Sequence, residues 1–300
     1  VTGNALLTIN LEETVANLRV LQPGDEAALD AFLAGHAESS MFLRSNARAA
    51  GFLDEGQPLQ GTYVAALEGE RIIGVAAHCW NGMVLVQAPA HLEPLAQEAV
   101  RRSRRAVAGL SGPWDQVAAA RRALGLHAAR TIKDSRDDLY ALDLRDLIVP
   151  PTLATGPLRC RRAEDRELEL LMEWRVQFSV EALGATESPE LRSASRADVL
   201  LQHQRGADWV LVDGKTPVAY STFSAMLPEI VQIGGVWTPP EYRGRGHGRS
   251  VVAGSLLAAR RQRVQRAVLF ADPRNLAAKR AYLALGFRIV GDYGLVLLHP

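Results

Sequence analysis

The sequence predicts a mixed α/β protein made of two similar halves in tandem, and three observations predict it. Short β-branched runs alternate with helical stretches along all 300 residues. The order of those elements in the first half repeats in the second. Between the halves, Ile148-Val149-Pro150-Pro151-Thr152-Leu153-Ala154-Thr155-Gly156-Pro157 reads as a linker, because its prolines and glycine punctuate regular structure. The expected halves are therefore 1–150 and 157–300, each long enough to bury a core.

Taken in order, Asn17-Leu18-Arg19-Val20-Leu21 is a short strand. Pro23-Gly24-Asp25 turns, and a helix follows over 26–33 with Asp25 as its N-cap. Strands over 62–67 and 71–78 flank Glu68-Gly69-Glu70 as a hairpin, and 83–87 is a further strand. A helix over 91–105 ends in Arg101, Arg102, Arg104 and Arg105, which suits the negative end of its dipole. A strand over 106–110, a helix over 114–124 and a strand over 138–144 close the half. The second half opens with a strand over 158–161, a helix over 164–180 and a second helix over 195–203. Trp209–Val212 and Val218–Phe223 form a hairpin like the earlier one. A strand over 230–237, a helix over 249–259 and the apolar run Ala267-Val268-Leu269-Phe270-Ala271 follow. That last run suits a strand covered on both faces. Asn275 caps a helix over 276–285, and Gly286 ends it.

Composition narrows the class. Hydrophobic residues make up 48% and charged residues 22% of the chain, as in an ordinary soluble globular protein. No apolar run reaches the 18 residues a membrane span needs. Val1–Leu7 lacks a basic stretch followed by a long apolar one, so no signal peptide is expected. Cys79 and Cys160 cannot build a disulfide framework or a metal cluster, which fits a cytoplasmic protein with two small buried thiols. Residues 1–150 hold 14 Lys and Arg against 18 Asp and Glu, while residues 151–300 hold 20 against 15. The basic half suits a polyanionic ligand.

That half contains Arg243-Gly244-Arg245-Gly246-His247-Gly248, between a strand and a helix. The first N–H groups of a helix have no partner within it, and glycines let the preceding backbone turn so that more N–H groups converge. Such a turn cradles a phosphate or pyrophosphate, and Arg243, Arg245 and Arg249 add charge around it. No Lys-Ser or Lys-Thr follows the glycines, which excludes a nucleotide-hydrolase P-loop. The Gly-x-Gly-x-Gly spacing also departs from the dinucleotide fingerprint. The matching place in the first half, Gln87-Ala88-Pro89-Ala90-His91-Leu92-Glu93-Pro94, has no glycine and carries an acid. It is expected not to hold a pyrophosphate.

The spacing Arg243-x-x-Gly246-x-Gly248, with Asn275 and Ala281-Tyr282-Leu283-Ala284-Leu285-Gly286-Phe287 after it, resembles the GCN5-related N-acetyltransferase (GNAT) family. The resemblance extends over roughly 157–300. It implies two tandem GNAT-like domains, the first degenerate, each a mixed, mostly antiparallel sheet with a splayed parallel pair flanked by helices. It implies acetyl-CoA or another acyl-CoA as the acyl donor and an amine as the acceptor, transferred by direct attack. The pyrophosphate would sit on Arg243, Gly244, Arg245, Gly246, His247, Gly248 and Arg249. The pantetheine arm would run beside the backbone of Val236, Trp237 and Thr238, with Asn275 and Lys279 near the cofactor. Tyr282 would lie close to the thioester sulfur, where a phenol can protonate the departing thiolate.

The attacking amine needs a base, and Glu229 and Glu181 are both candidates; His203 and His247 are weaker ones. Trp174, Phe178, Glu181, Tyr220 and Phe223 would border the acceptor pocket by the same resemblance. A non-catalytic CoA-sensing module is the alternative to an enzyme. A nucleic-acid binder is disfavoured by near-neutral net charge and by the lack of basic-aromatic interleaving. The expected assembly is a monomer or a homodimer.

Overall fold

The computed structural model describes residues 17–299. Val1–Leu7, on which the signal-peptide expectation rests, lies outside them. The first half contains β1 (Asn17–Val20), α1 (Glu26–Ala34), α2 (Met41–Ala50), β2 (Gly61–Glu68), β3 (Arg71–Cys79), β4 (Met83–Gln87), α3 (Leu92–Ser103), β5 (Gly109–Pro113), α4 (Trp114–Ala123) and β6 (Thr131–Asp143). After the short linker helix α5 (Pro151–Ala154) come β7 (Leu158–Arg162), α6 (Leu168–Leu183), α7 (Pro189–Gln204), β8 (Asp208–Asp213), β9 (Thr216–Met226), β10 (Ile230–Trp237), α8 (His247–Arg261), β11 (Arg266–Ala271), α9 (Leu276–Leu283) and β12 (Arg288–Leu298).

Local chemistry accounts for several boundaries. The Ser188 hydroxyl accepts from Leu191 N–H at 3.2 Å, and Pro189 follows at the first helical position, so α7 starts six residues before the expected 195. Asn275 caps α9 as expected, accepting from Ala278 N–H at 3.1 Å. Asp25 does not cap α1. Its carboxylate instead accepts from Gln22 N–H at 2.9 Å and pairs with Arg19 at 2.7 Å. The expected strand over 106–110 sits three residues later, at β5. Helix α2 and strand β12 were not expected from the sequence.

The twelve strands among the described residues form one mixed sheet in the order β1-β2-β3-β4-β5-β12-β6-β11-β10-β9-β8-β7. Only β4 with β5 and β10 with β11 run parallel; the other neighbours are antiparallel. Each half supplies five strands in the same order, and then the sixth is exchanged. Strand β12, the last of the chain, pairs with β5 of the first half, while β6 pairs with β11 of the second. The two exchanged strands pair with each other at the centre of the sheet. The expected halves, 1–150 and 157–300, therefore differ from the sheet's own division, because backbone hydrogen bonds do not follow chain order.

Both parallel pairs are short. β10 and β11 are in register only from Ile230↔Arg266 to Gln232↔Val268, and β4 and β5 only from Met83↔Gly109 to Leu85↔Ser111. Beyond those residues each pair opens. On one face of the second half's sheet, α8 and α9 bury a core that includes Val251, Leu256, Tyr140, Tyr282 and Phe287. On the other face, α6 and α7 pack Trp174 and Val199 against Val210 and Tyr220. Helix α2 of the first half covers the rest of that face, with Met41 against Ala225, Ile230 and Val268. Arg44 of α2 pairs with Asp30 at 2.8 Å and Glu229 at 2.9 Å, and the Ser45 hydroxyl accepts from Met226 N–H at 3.1 Å.

Cys79 and Cys160 both pack as apolar groups. Burial pushes each thiol up to about 12, and Cys160 fits against Gly254 of α8 so closely that a Cβ there would overlap it. Among the described residues no helix is long and apolar enough to cross a membrane, and no group of His, Cys, Asp and Glu could hold a metal ion.

Candidate active site

The site lies where β10 and β11 part. Strand β10 also loses its other neighbour there. Its register with β9 jumps from Gly234↔Thr222 to Trp237↔Tyr220, and Gly235 takes a positive φ of 58° as the extra residue of a bulge. Gly235 and Val236 thus have no register partner in β9, and β11 has already left β10 at that point. The bulge also shifts the side-chain alternation. Val236 turns towards the core under α8, while Trp237 joins the cluster under α6.

The glycine loop follows. Gly244 and Gly246 both have φ of 76°, a region open to glycine at no steric cost. Ser250 is the first residue of α8 whose N–H finds a backbone carbonyl, that of Gly246 at 3.0 Å. The N–H groups of Gly244, Arg245, Gly246, His247, Gly248 and Arg249 make no hydrogen bond to protein among the described residues. Six donors at a helix start form an anion cradle. Gly248 seats the helix against β10; a Cβ there would lie 3.4 Å from the Thr238 hydroxyl.

The polar side chains around the cradle divide into two groups. Arg243 is committed: it donates to Thr238 O at 2.9 Å, pairs with Glu181 at 2.9 Å and lies over the Trp237 ring. Arg249 Nε, Trp237 Nε1 and His247 Nδ1 are buried without a partner. Burial holds the His247 imidazole below its ordinary value and the Arg245 charge acts the same way, against Asp213 and the Tyr242 backbone. The unpaired Arg249 donor beside these free N–H groups suits a bound anion. The residues present therefore fit the pyrophosphate of an acyl-CoA.

Helix α9 borders the opposite side of the opening. Tyr282 is buried, its ring edge-on to Tyr140 at 5.7 Å and to Phe287 at 6.0 Å. Burial pushes its phenol up to about 12, so it is a proton donor at neutral pH. Lys279 reaches across to Asp138 at 3.0 Å, and the Tyr140 hydroxyl donates to the same carboxylate at 3.2 Å. Both Asp138 and Tyr140 lie on β6, the strand exchanged in from the first half. Sequence reading named neither, since strand partners across 140 residues leave no local signal.

The two carboxylates expected as bases are not brought together. Glu229 precedes β10 and is held by Arg44 of the first half; Glu181 lies beyond the other end of that strand, held by Arg243. An eight-residue strand separates them by about 25 Å. His203 is paired with Asp208 at 2.7 Å and Asp165 at 3.0 Å, remote from the loop. Of the residues expected around the acceptor, Trp174 and Tyr220 are core residues beneath α6, and Phe178 is half-buried beside Arg175. Phe223 belongs to the opposite face, packed with Trp209, since three residues separate it from Tyr220 and successive strand side chains alternate. Those two faces cannot border one pocket.

In the first half the corresponding opening is closed. Gln116 of α4 accepts from Ala88 N–H at 2.7 Å, occupying the backbone donor at the end of β4. The hollow there, about 430 Å³, is lined by Pro89, Glu93, Pro94 and Asp115, with no basic side chain other than His91.

Residues 168–287 match the family described as the acetyltransferase (GNAT) family. Similar folds include a GCN5-related N-acetyltransferase from Kribbella flavida, with a TM-score of 0.55 at 18% identity over 89% of this chain and 96% of that one. A Drosophila protein aligns with a TM-score of 0.67 at 12% identity over 94% and 99% of the two chains. A tandem GNAT protein from the clavulanic acid biosynthesis pathway aligns with a TM-score of 0.54 at 14% identity over 93% and 97%. No match is found among curated proteins. The split parallel pair, the bulged strand and the glycine cradle thus define a GNAT-type fold. The matched stretch, residues 168–287, contains the bulged strand, the glycine cradle and α9.

Proposed function

We propose that this chain is an acyl-CoA-dependent N-acyltransferase that moves an acetyl group from acetyl-CoA to a primary amine, with a single site in its second half. The observation that carries this reading is the set of unpaired N–H groups of residues 244–249 at the head of the β10/β11 opening. The thioester supplies an activated acyl carbon. The loop N–H groups, with Arg245 and Arg249, would hold the pyrophosphate. The backbone at Val236 would pair with the pantetheine amide and offer an N–H to the oxygen that gains charge during attack. Asn275 and Lys279 would flank the arm from the α9 side. Tyr282 would give its proton to the thiolate as the C–S bond breaks. Its burial keeps that proton in place until sulfur develops charge.

The first half would act as a scaffold in this reading. It lacks the cradle, its opening is blocked by Gln116, and it contributes β6 and α2 to the second half. The likeness to a tandem GNAT protein supports two copies of one fold. The test is an acceptor screen with acetyl-CoA that follows thiol release. Release with at least one amine, lost in Gly248→Asp, supports the assignment. Tight acetyl-CoA binding with no release across all amines would support a sensing module instead.

A further inference from the structure

Among the described residues three acids are buried, and two have cations: Glu167 pairs with Arg161 and Asp208 with His203. The third, Asp137, is 3% exposed and has none within ion-pair distance, and its Oδ1 has no hydrogen-bond partner. A buried carboxylate left without a cation costs several kcal/mol, about 3–5 where a partner has been removed. The fold does not need it there, since an apolar residue would fill the place at no such cost. A position of this kind is where functional groups are found.

Its place supports a function. The last pair between β11 and β6 is Ala271↔Asp138. Asp137 therefore lies one residue past the point where β11 leaves the sheet, at the open end of the split. Strand alternation fixes the face. Asp138 and Tyr140 point to α9, where they meet Lys279 and Tyr282. Asp137 points the other way, to the side covered by α2 and α6. An acyl transfer needs a base at the attacking nitrogen and an acid at the departing sulfur, and Asp137 and Tyr282 stand on opposite faces of this sheet, so the two groups do not compete for one place.

Aromatic rings surround that side. Tyr293 of β12 is directly opposite Asp137, so both side chains share a face. Its ring stacks on Phe270 at 4.5 Å, and Phe42 of α2 meets Phe270 edge-on at 6.5 Å. Phe270 and Phe42 are half-buried, leaving part of each ring accessible. Rings beside a carboxylate attract a cationic amine whose body is apolar.

We propose that Asp137 is the base of the acyl transfer, and that with Phe42, Phe270 and Tyr293 it selects a small primary amine carrying an apolar or aromatic body. The proposal rests on the acyl-transfer reading and names its acceptor class. The acceptor arrives as the ammonium and gives one proton to water. As the neutral nitrogen bonds to the acyl carbon, its second proton passes to the Asp137 carboxylate. The C–S bond breaks, and sulfur takes the proton of the Tyr282 hydroxyl. Water then removes the proton from Asp137 and restores that of Tyr282, so amine and thioester become amide and thiol.

Burial raises the affinity of Asp137 for a proton, and the nearby charge of Asp272 adds to it; Lys133, Ser135 and Arg274 act against it. Lys133 is drawn off by Ala182 O at 3.3 Å and Asp272 at 3.9 Å, and Arg274 by Asp272 at 2.7 Å. Tyr293 and the α2 ring present no charge to it.

The test is Asp137→Asn in the full chain, an isosteric change that removes an unpaired buried charge. Its melting temperature should hold or rise, whereas a structural acid would leave it lower. Calorimetry with arylalkylamines, alkyl diamines and amino sugars should show that the parent prefers arylalkylamines and that the variant loses this binding. With acetyl-CoA and the best amine, kcat should fall by about 10²–10⁴. The acid limb of the pH profile should vanish, and acetyl-CoA affinity should stay unchanged. A kcat within a few-fold of the parent with its acid limb intact would overturn the proposal, as would amine binding indifferent to the substitution. Amine binding that depends on Asp137 without thiol release would instead retain the subsite and discard the acetyltransferase reading.

Discussion

Tyr140 and Tyr282 meet edge to face at 5.7 Å, although they belong to different halves of the chain. The contact exists because β6 completes the sheet beneath α9, and it holds the Tyr282 ring in place. An edge-to-face pair of this kind contributes about 0.5–1.5 kcal/mol beyond its buried area.

Tyr282→Phe tests the hydroxyl alone. The ring contacts with Tyr140 and Phe287 survive, so melting temperature and acetyl-CoA affinity should not change. A thiolate is a fair leaving group, so kcat should fall by about 10²-fold or somewhat less. An unchanged kcat in steady-state assays would return Tyr282 to a packing role.

Gly246→Pro removes a donor from the cradle, and Gly248→Asp sets a negative charge against Thr238 where the phosphates would lie. Loss of one hydrogen bond to a charged group costs about 1.5–3 kcal/mol, so acetyl-CoA should bind at least roughly 10- to 100-fold more weakly to Gly246→Pro, whose φ of 76° proline cannot adopt, and like charge should weaken binding to Gly248→Asp as well. His247→Ala should behave differently. Its ring is 5% exposed beside Tyr242, so the variant should melt earlier while retaining affinity. Gly248→Asp binding acetyl-CoA as well as the parent would discard the cradle.

Calorimetric titration with acetyl-CoA should give one site per chain. Gln116 holds the Ala88 N–H in the first half, and Glu93 and Asp115 repel phosphate from the hollow beside it. Gln116→Ala should open the cleft without creating a second site. Two sites of similar affinity in the parent would contradict this.

His203 makes stability depend on pH. Its hydrogen bond to the buried Asp208 raises its proton affinity above the ordinary value, and Asp165 adds to that against some desolvation. The charged imidazole is thus favoured in the folded state. The stabilisation is fully present below the unfolded value of about 6.5 and is lost as pH rises through the folded one. Melting temperature should decline over that window, and His203→Gln should flatten the decline. A parallel decline in both proteins would place the effect elsewhere.

The parts of the site visible in the sequence were those set by local chemistry. The glycines of the cradle, the bulk of β10 and the Asn275 cap each depend on a few neighbouring residues. What escaped depends on distant ones. Nothing in Arg288–Leu298 marks it as a strand that pairs with Gly109–Pro113 rather than closing its own half, and its glycines interrupt the alternation. Tyr220 and Phe223 stand three residues apart, so alternation already sets them on opposite faces, but the extra residue Ser224, between Phe223↔Ile233 and Ala225↔Gln232, leaves no sign in the sequence and turns Ala225 away from the face of Phe223. Asp137 sits in Lys133-Asp134-Ser135-Arg136-Asp137-Asp138, a run that reads as a solvated edge. Only the exchange of strands buries it.

That exchange also sets a timetable for synthesis. The strand that closes the first half's sheet, β12, is made after the other eleven described strands. At about 5–20 residues per second, β5 emerges from the ribosome roughly 10–40 s before its partner β12. During that interval the edge of β5 lacks its final partner, and a bare strand edge is the kind of surface that recruits foreign strands. β6, already translated, can cover it provisionally and then must yield. The first half would therefore pass through a self-contained arrangement that the finished protein abandons, and a stop codon shortly before Arg288 would trap it there.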